Sequence, residues 1–379
     1  MQKTEKSIFI IPVASIAVMA LAAIALVIVL LGDGVFVSVP KPAVYETVES
    51  ITPSEKDLLG GVADVTDYGA VPNDETDDTM AFRRAAATGL SVFVPAGEYR
   101  IGDTITVKDG FIAGSSMTDT RLCGIGKAPV IALENGAGVK DLTIVYDGEN
   151  AAAAQAAAIR ITPAGDSRQG SYVKNVSISH VGTGIVSEVE GTAVGETYEN
   201  VHIRDFSRAA ISLTGAKRLG TSFSGIYCRE ATAENGVVIA DDSNTLLEQL
   251  VFDGVTLDAA AALSGDGFVL RTLTVSRSAV DSFVLMDGAT GVLGSVLDEA
   301  SSGTVLTLRN IGSTLTVPMD FLHLRGVGEK QTFGLVRKEN SAGACTLTVL
   351  TATAEDTAAS WQKFPFEKSD GMTVVFSAE

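Results

Sequence analysis

The sequence predicts an all-β solenoid of short stacked strands, with one short helix near its start and a membrane-spanning helix ahead of it. Three observations predict this. Two polar residues followed by apolar, polar, apolar recur as Lys140-Asp141-Leu142-Thr143-Ile144, Lys174-Asn175-Val176-Ser177-Ile178 and Glu199-Asn200-Val201-His202-Ile203. The stretch from Asp67 to Ile101 encodes a turn, a helix, a strand and a second turn in fixed order. The run from Ile8 to Leu31 carries no charged residue.

At about 1.5 Å per residue that run is long enough for a hydrocarbon core of about 30 Å. Lys3 and Lys6 precede it and Asp33 follows, so the positive-inside bias sets residues 1–7 in the cytoplasm and the bulk of the chain outside. The expected organisation is a signal anchor at 8–31, with a cleaved secretory signal as its alternative, a proline-bearing tether at 32–62, a solenoid at 63–325 and C-terminal rungs or a cap at 326–379. The expected localisation is the cell membrane, single-pass, with the globular part extracellular.

In the stretch from Asp67 to Ile101, Thr76 is the expected N-cap, and Asp77 and Asp78 then fall in the first helical turn, against the positive end of the helix dipole. Phe82, Ala85 and Ala86 form an apolar stripe, and Gly89 supplies a left-handed stop. Ser91-Val92-Phe93-Val94 reads as a strand ended by Pro95, and Gly97 turns the chain toward Tyr99 and Ile101. The ordered motifs Asp67-Tyr68-Gly69-Ala70, Thr76-Asp77-Asp78 and Val92-Phe93-Val94-Pro95-Ala96-Gly97-Glu98-Tyr99 resemble the N-terminal signature of the pectate-lyase superfamily. The resemblance implies a right-handed parallel β-helix whose open end this segment covers as an N-terminal capping helix. It also implies an activity on polysaccharide, as a lyase or glycoside hydrolase. It gives the Asp77-Asp78 pair a capping rather than a catalytic part. Many members of the superfamily form trimers, although no heptad pattern specifies one here.

The three pattern matches begin at Lys140, Lys174 and Glu199, and alternation marks strands with one buried face. The first interval is the longer and contains an alanine-rich insertion, Asn150 to Ala158, expected to loop out from the coil. Leu250-Val251-Phe252, Phe268-Val269-Leu270, Leu273-Thr274-Val275 and Val305-Leu306-Thr307-Leu308 continue the strands. Rungs of about 20–25 residues, each rising about 4.8 Å, predict about ten to twelve turns. Asn175 and Asn200 then occupy equivalent turn positions, where stacked amides can hydrogen-bond along the axis. Trp361, Phe364 and Phe366, set between Leu347-Thr348-Val349-Leu350 and Thr373-Val374-Val375-Phe376, suit a C-terminal cap or a small glycan-contact platform.

A formal charge of −18 repels nucleic acid and anionic lipid headgroups. It also makes a naked polyuronate an awkward ligand unless a cation such as Ca²⁺ bridges the two, so no cofactor is fixed beyond that possible Ca²⁺. Cys123, Cys228 and Cys345 are odd in number and widely spaced, so no disulfide framework is encoded. There is no G-x-S-x-G, H-E-x-x-H or C-x-x-C motif, and with only His180, His202 and His323 spread along the chain a zinc site of His ligands is not expected.

On a solenoid, residues one repeat apart become lateral neighbours about 5 Å apart. The step from Lys174 to Glu199 sets Ser177 beneath His202, Ser179 beneath Arg204 and His180 beneath Asp205. His180, His202, Arg204 and Asp205 are therefore one candidate catalytic cluster, able to move a proton beside a uronate carboxyl while Arg204 neutralises charge. The bland reading of the same residues is a solvated edge or a structural ion pair. A second candidate is Asp241-Asp242, with Asp253, Asp258 and Asp266 beyond it, since glycoside hydrolysis needs two carboxylates about 5–9.5 Å apart. Its bland reading is a turn pair. Polygalacturonase-like hydrolases pair a D-D with later G-H-G and R-I-K motifs, and neither follows here. Two functions stay open: a polysaccharide-processing lyase or hydrolase, and a non-catalytic glycan-binding or structural surface protein. The partner in either is a polysaccharide or cell-surface glycan.

Overall fold

The structure is a computed structural model and describes residues 61–147, 156–165, 170–188, 190–325, 334–355, 367–368 and 372–376. The expected anchor at 8–31, its tether up to residue 60, and Trp361, Phe364 and Phe366 lie outside the described residues. Among the described residues no helix is long and apolar enough to cross a membrane.

The described chain coils through about eleven turns of parallel β-helix. Each strand pairs in parallel with the strand one coil before it. The register expected from the sequence is realised: Val176 pairs with Leu142 on one side and with Val201 on the other. The buried face of this sheet is a continuous stack, Leu142, Val176, Val201, Ile226, Leu250, Leu273, Val296 and Leu322, all fully buried. Stacking like on like removes apolar area on every coil, at about 25 cal/mol per Å², which is how a chain with no disulfide among its described cysteines holds together. Strands bend where one residue adopts a left-handed conformation. One such corner is built from Asp141, Asn175 and Asn200, at φ 58°, 52° and 51°, and a second from His180, Asp205 and Glu230, at φ 57°, 53° and 50°. Short polar side chains tolerate this conformation better than branched ones.

The first coil carries the helix Thr79–Ala87, which buries Phe82 and Ala85 in the core, with the Phe82 ring edge-on to Tyr99 at 5.4 Å. It starts later than the sequence suggests. Asp78, not Thr76, occupies the N-cap, and the Asp77 carboxylate accepts from the Thr79 backbone N–H at 2.9 Å. The reason is tertiary: Asp78 is buried and accepts from the backbone N–H groups of Val71 (2.9 Å) and Arg100 (3.3 Å), tying this turn to the next strand. Gly89 ends the segment at φ 76° as expected. Phe268-Val269-Leu270 and Leu273-Thr274-Val275 are strand as expected, joined in one strand, Phe268–Ser276. One further expectation is corrected: the end of the alanine-rich insertion enters the strand Ala157–Ile161, where Ala158 is fully buried. Toward the C-terminus the strands Gly334–Glu339, Cys345–Glu355 and Met372–Phe376 continue the stacking as further rungs.

Beside Asp78, charged residues buried in the coil include an ion pair and a lone carboxylate. Arg218 and Glu196 are both buried and joined at 3.1 Å, with Arg218 also donating to the Ser187 hydroxyl at 2.7 Å. Asp298 replaces an aliphatic residue in the column that contains Val275 and Leu324. One of its oxygens accepts the Ser301 N–H at 3.2 Å and the other has no partner. Burial pushes its carboxyl up to about 6.

Candidate functional site

The strands Tyr172–Ser187, Thr197–Leu213 and Ser222–Arg229 lie side by side on successive coils. Alternation turns Val176, Val201 and Ile226 inward, so the intervening residues line the outer face. Ser177, His202 and Tyr227 form one outer column, and Ser179, Arg204 and Arg229 the next. Of the first candidate cluster, His202 and Arg204 thus share this face, and His180 and Asp205 sit at the corner beside it. There His180 Nε2 lies 3.1 Å from Asp205 Oδ2.

His202 is held from two sides. Its Nε2 is 2.9 Å from the Asn200 Oδ1, and its ring packs on that of Tyr227 with centroids 4.6 Å apart. Burial, and then the nearby Arg229 guanidinium, push its pKa below the ordinary histidine value, so the ring is neutral at pH 7. Arg204 and Arg229 are register partners on adjacent coils, a spacing of about 4.8 Å between their backbones. Neither has an ion-pair partner among the described residues. Asp253, the register partner of Arg229 on the next coil, is instead bound by Arg277 through two bonds of 2.9 and 2.5 Å. Two like charges side by side repel, and an anion seated between them would relieve that repulsion.

The residues of the second candidate are dispersed. Asp241 and Asp242 lie in the strand Thr232–Ser243 rather than in a turn, at a point where the register slips. Asp242 pairs with Gly265, which sets Asp266 one position further along the next coil, where it accepts from the Thr290 hydroxyl at 3.1 Å. Asp253 is engaged by Arg277. Asp258 lies elsewhere, in an open groove of 360 Å³ lined by Ser207, Thr232, Ala233, Glu234, Thr256, Leu257 and Asp258. Its neighbour one coil down is Glu234, because Ala233 pairs with Leu257 and Asn235 with Ala259. The carboxylate one coil up, Asp281, is held below the usual carboxylate range by bonds from Arg337 at 2.8 and 2.5 Å. Glu234 and Asp258 are therefore two outward carboxylates about one rung apart.

Sequence reasoning missed Tyr227, Arg229 and Glu234. Carrying the step from Lys174 to Glu199 one coil further would have found the first two, since His202 leads to Tyr227 and Arg204 to Arg229. Glu234 needed the shorter step of the next coil, which runs from Ala233 to Leu257. Among the described residues no group of three His, Cys, Asp or Glu side chains converges as a metal site.

Residues 62–296 match the family described as rhamnogalacturonase A/epimerase, pectate lyase-like. None of the curated proteins compared matches the chain. Among solved structures, the tailspike of Acinetobacter phage vb_AbaP_AS12 is similar with a TM-score of 0.54 at 13% identity, over 83% of this chain and 61% of the tailspike. The catalytic unit of a GH87 alpha-1,3-glucanase from Streptomyces thermodiastaticus is similar at 17% identity with a TM-score of 0.45, over 84% of this chain and 69% of that one. The A-module of an Azotobacter vinelandii mannuronan C-5 epimerase is similar at 16% identity with a TM-score of 0.45, over 83% of this chain and 99% of the module. At such identities the tailspike match speaks for the β-helix fold alone.

Proposed function

Because the chain belongs to the rhamnogalacturonase A/epimerase, pectate lyase-like family, we propose that it acts on an acidic polysaccharide laid across the outer face at His202, Arg204, Tyr227 and Arg229. The observation that carries this is the register-paired Arg204 and Arg229, without an ion-pair partner among the described residues, beside a neutral histidine. The two guanidiniums bind a sugar carboxylate and drain its charge, which acidifies the adjacent C–H. His202 accepts that proton. Loss of the glycosidic oxygen from the neighbouring carbon then leaves an unsaturated sugar, the lyase outcome, whereas return of a proton to the opposite face inverts the centre. Tyr227 offers a ring for the apolar face of a sugar. The sequence expectation of a membrane anchor at 8–31 fits a substrate outside the cell.

The groove supports a second reading. Glu234 and Asp258 stand on adjacent rungs of this groove, and two carboxylates on adjacent rungs suit a glycosidase pair. Incubating the whole chain with acidic and neutral polysaccharides, with and without Ca²⁺, separates the two. Unsaturated product from acidic polymers, lost in Arg204→Ala, supports the first reading. Reducing ends without unsaturation, lost in Glu234→Gln, transfer the activity to the groove. Saturable binding without turnover by either route leaves a glycan-binding protein.

A further inference from the structure

A side-chain ladder ends on His202. Asn175 Nδ2 donates to Asp141 Oδ1 at 2.8 Å, Asn200 Nδ2 donates to Asn175 Oδ1 at 3.0 Å, and Asn200 Oδ1 faces His202 Nε2 at 2.9 Å. These three corner residues are in left-handed conformation, one per coil. The next corner is Gly225, at φ 72°, which has no side chain to continue the stack. The amide oxygen of Asn200 is thereby left for the histidine two positions along its own strand.

The direction of every bond in this ladder follows from its first member. An ionised carboxylate only accepts, so Asn175 must turn its NH₂ toward Asp141 and its oxygen toward the next coil. Asn200 must then turn its NH₂ down to Asn175 and its oxygen toward His202. An oxygen facing a ring nitrogen demands a proton on that nitrogen. We infer that Asp141, acting through Asn175 and Asn200, fixes His202 as the Nε2–H tautomer and leaves Nδ1 as the ring's proton acceptor. Asp141 and the two asparagines are positioning residues, and Nδ1 has no protein partner among the described residues. The catalytic meaning of this arrangement rests on the proposed part of His202 as base, but the tautomer itself does not.

The test reads the ring directly. The chain has three histidines, so ¹⁵N-histidine labelling of the full chain, with His180→Gln and His323→Gln for assignment, resolves the two nitrogens of His202 at pH 7.5. The expected wild-type spectrum has one protonated nitrogen, Nε2, and one unprotonated nitrogen, Nδ1, with no averaging between them. In Asp141→Asn, nearly the same in shape, the ladder loses its fixed end and the single-tautomer signature is lost. Gly225→Asn, tolerated at a left-handed position, offers Asn200 Oδ1 a competing amide and has the same effect. Asn200→Asp keeps an acceptor opposite Nε2 and retains the signature. A wild-type ring that averages or protonates at Nδ1 overturns the inference. So does an Asp141→Asn ring indistinguishable from wild type. A locked tautomer in a protein that turns over no polysaccharide would instead remove the proposed activity and leave the ladder standing.

Discussion

Polar groups inside the coil and those on its outer face obey different rules. Inside, Arg218 is fully buried and meets Glu196, Ser187 and the Ala216 carbonyl, while Asp298 has half of its carboxylate unmatched and responds by holding its proton more tightly. Outside, Arg204 and Arg229 stand together with no ion-pair partner among the described residues, a state that solvation by water makes tolerable. The interior therefore converts an unmet charge into lost stability, and the outer face keeps it as affinity for something else. The difference separates residues that hold the fold from residues free to bind.

The severest test of this contrast is Glu196→Gln, which strands a buried guanidinium. We expect a loss of about 3–5 kcal/mol in unfolding free energy, measured by denaturant titration, with a far smaller loss counting against the interior pair. Asp298→Asn should act with the opposite sign. The folded carboxyl titrates at about 6 and the unfolded one near its ordinary 3.8, so the folded state is favoured below the lower value and loses stability as pH rises through about 6. Removing the charge should raise stability by on the order of 3 kcal/mol at pH 7.5, and the gap to the parent protein should close below pH 4. A gap in thermal melts that does not change with pH would mean that Asp298 titrates alike folded and unfolded, and a variant less stable than the parent at pH 7.5 would reverse the sign.

On the outer face, Arg204→Ala with Arg229→Ala should leave unfolding free energy within about 0.5 kcal/mol. The same change should weaken binding of acidic polysaccharide by about 10- to 100-fold, more at low salt than at high. Equal loss on neutral polymers would contradict charge recognition. The smallest effect concerns the second amide ladder, where Asn310 donates to Asp287 at 2.6 Å and Asn340 to Asn310 at 2.5 Å. Asn310→Ala should cost about 0.5–1 kcal/mol and leave the His202 nitrogen signals unmoved, whereas Asn200→Ala should have a similar cost and change them.

Much of the site could be read along the chain because a solenoid turns sequence separation into lateral adjacency. The single step from Lys174 to Glu199 placed Ser177 against His202 and His180 against Asp205. It also set the two asparagines in line, joined at 3.0 Å. The same reasoning misjudged Asp241-Asp242, since a pair of acidic residues looks like a turn when the local slip in register is not known. It could not see Glu196 and Arg218 as partners, because their separation matches no rung step that the repeats reveal and both lie where apolar residues are expected.

The stacking of coils is written in the chain itself, since alternating aliphatic residues have one low-energy arrangement when they recur every turn. So are the left-handed corners, which Asn, Asp and Gly accept at least cost. Which charges are matched is a different matter, settled by packing between coils. Asp253 could have served Arg229 and instead serves Arg277, and Asp78 left the helix to bind the Val71 and Arg100 backbone. Such choices depend on side-chain reach and burial across coils of unequal length, and no local pattern records them.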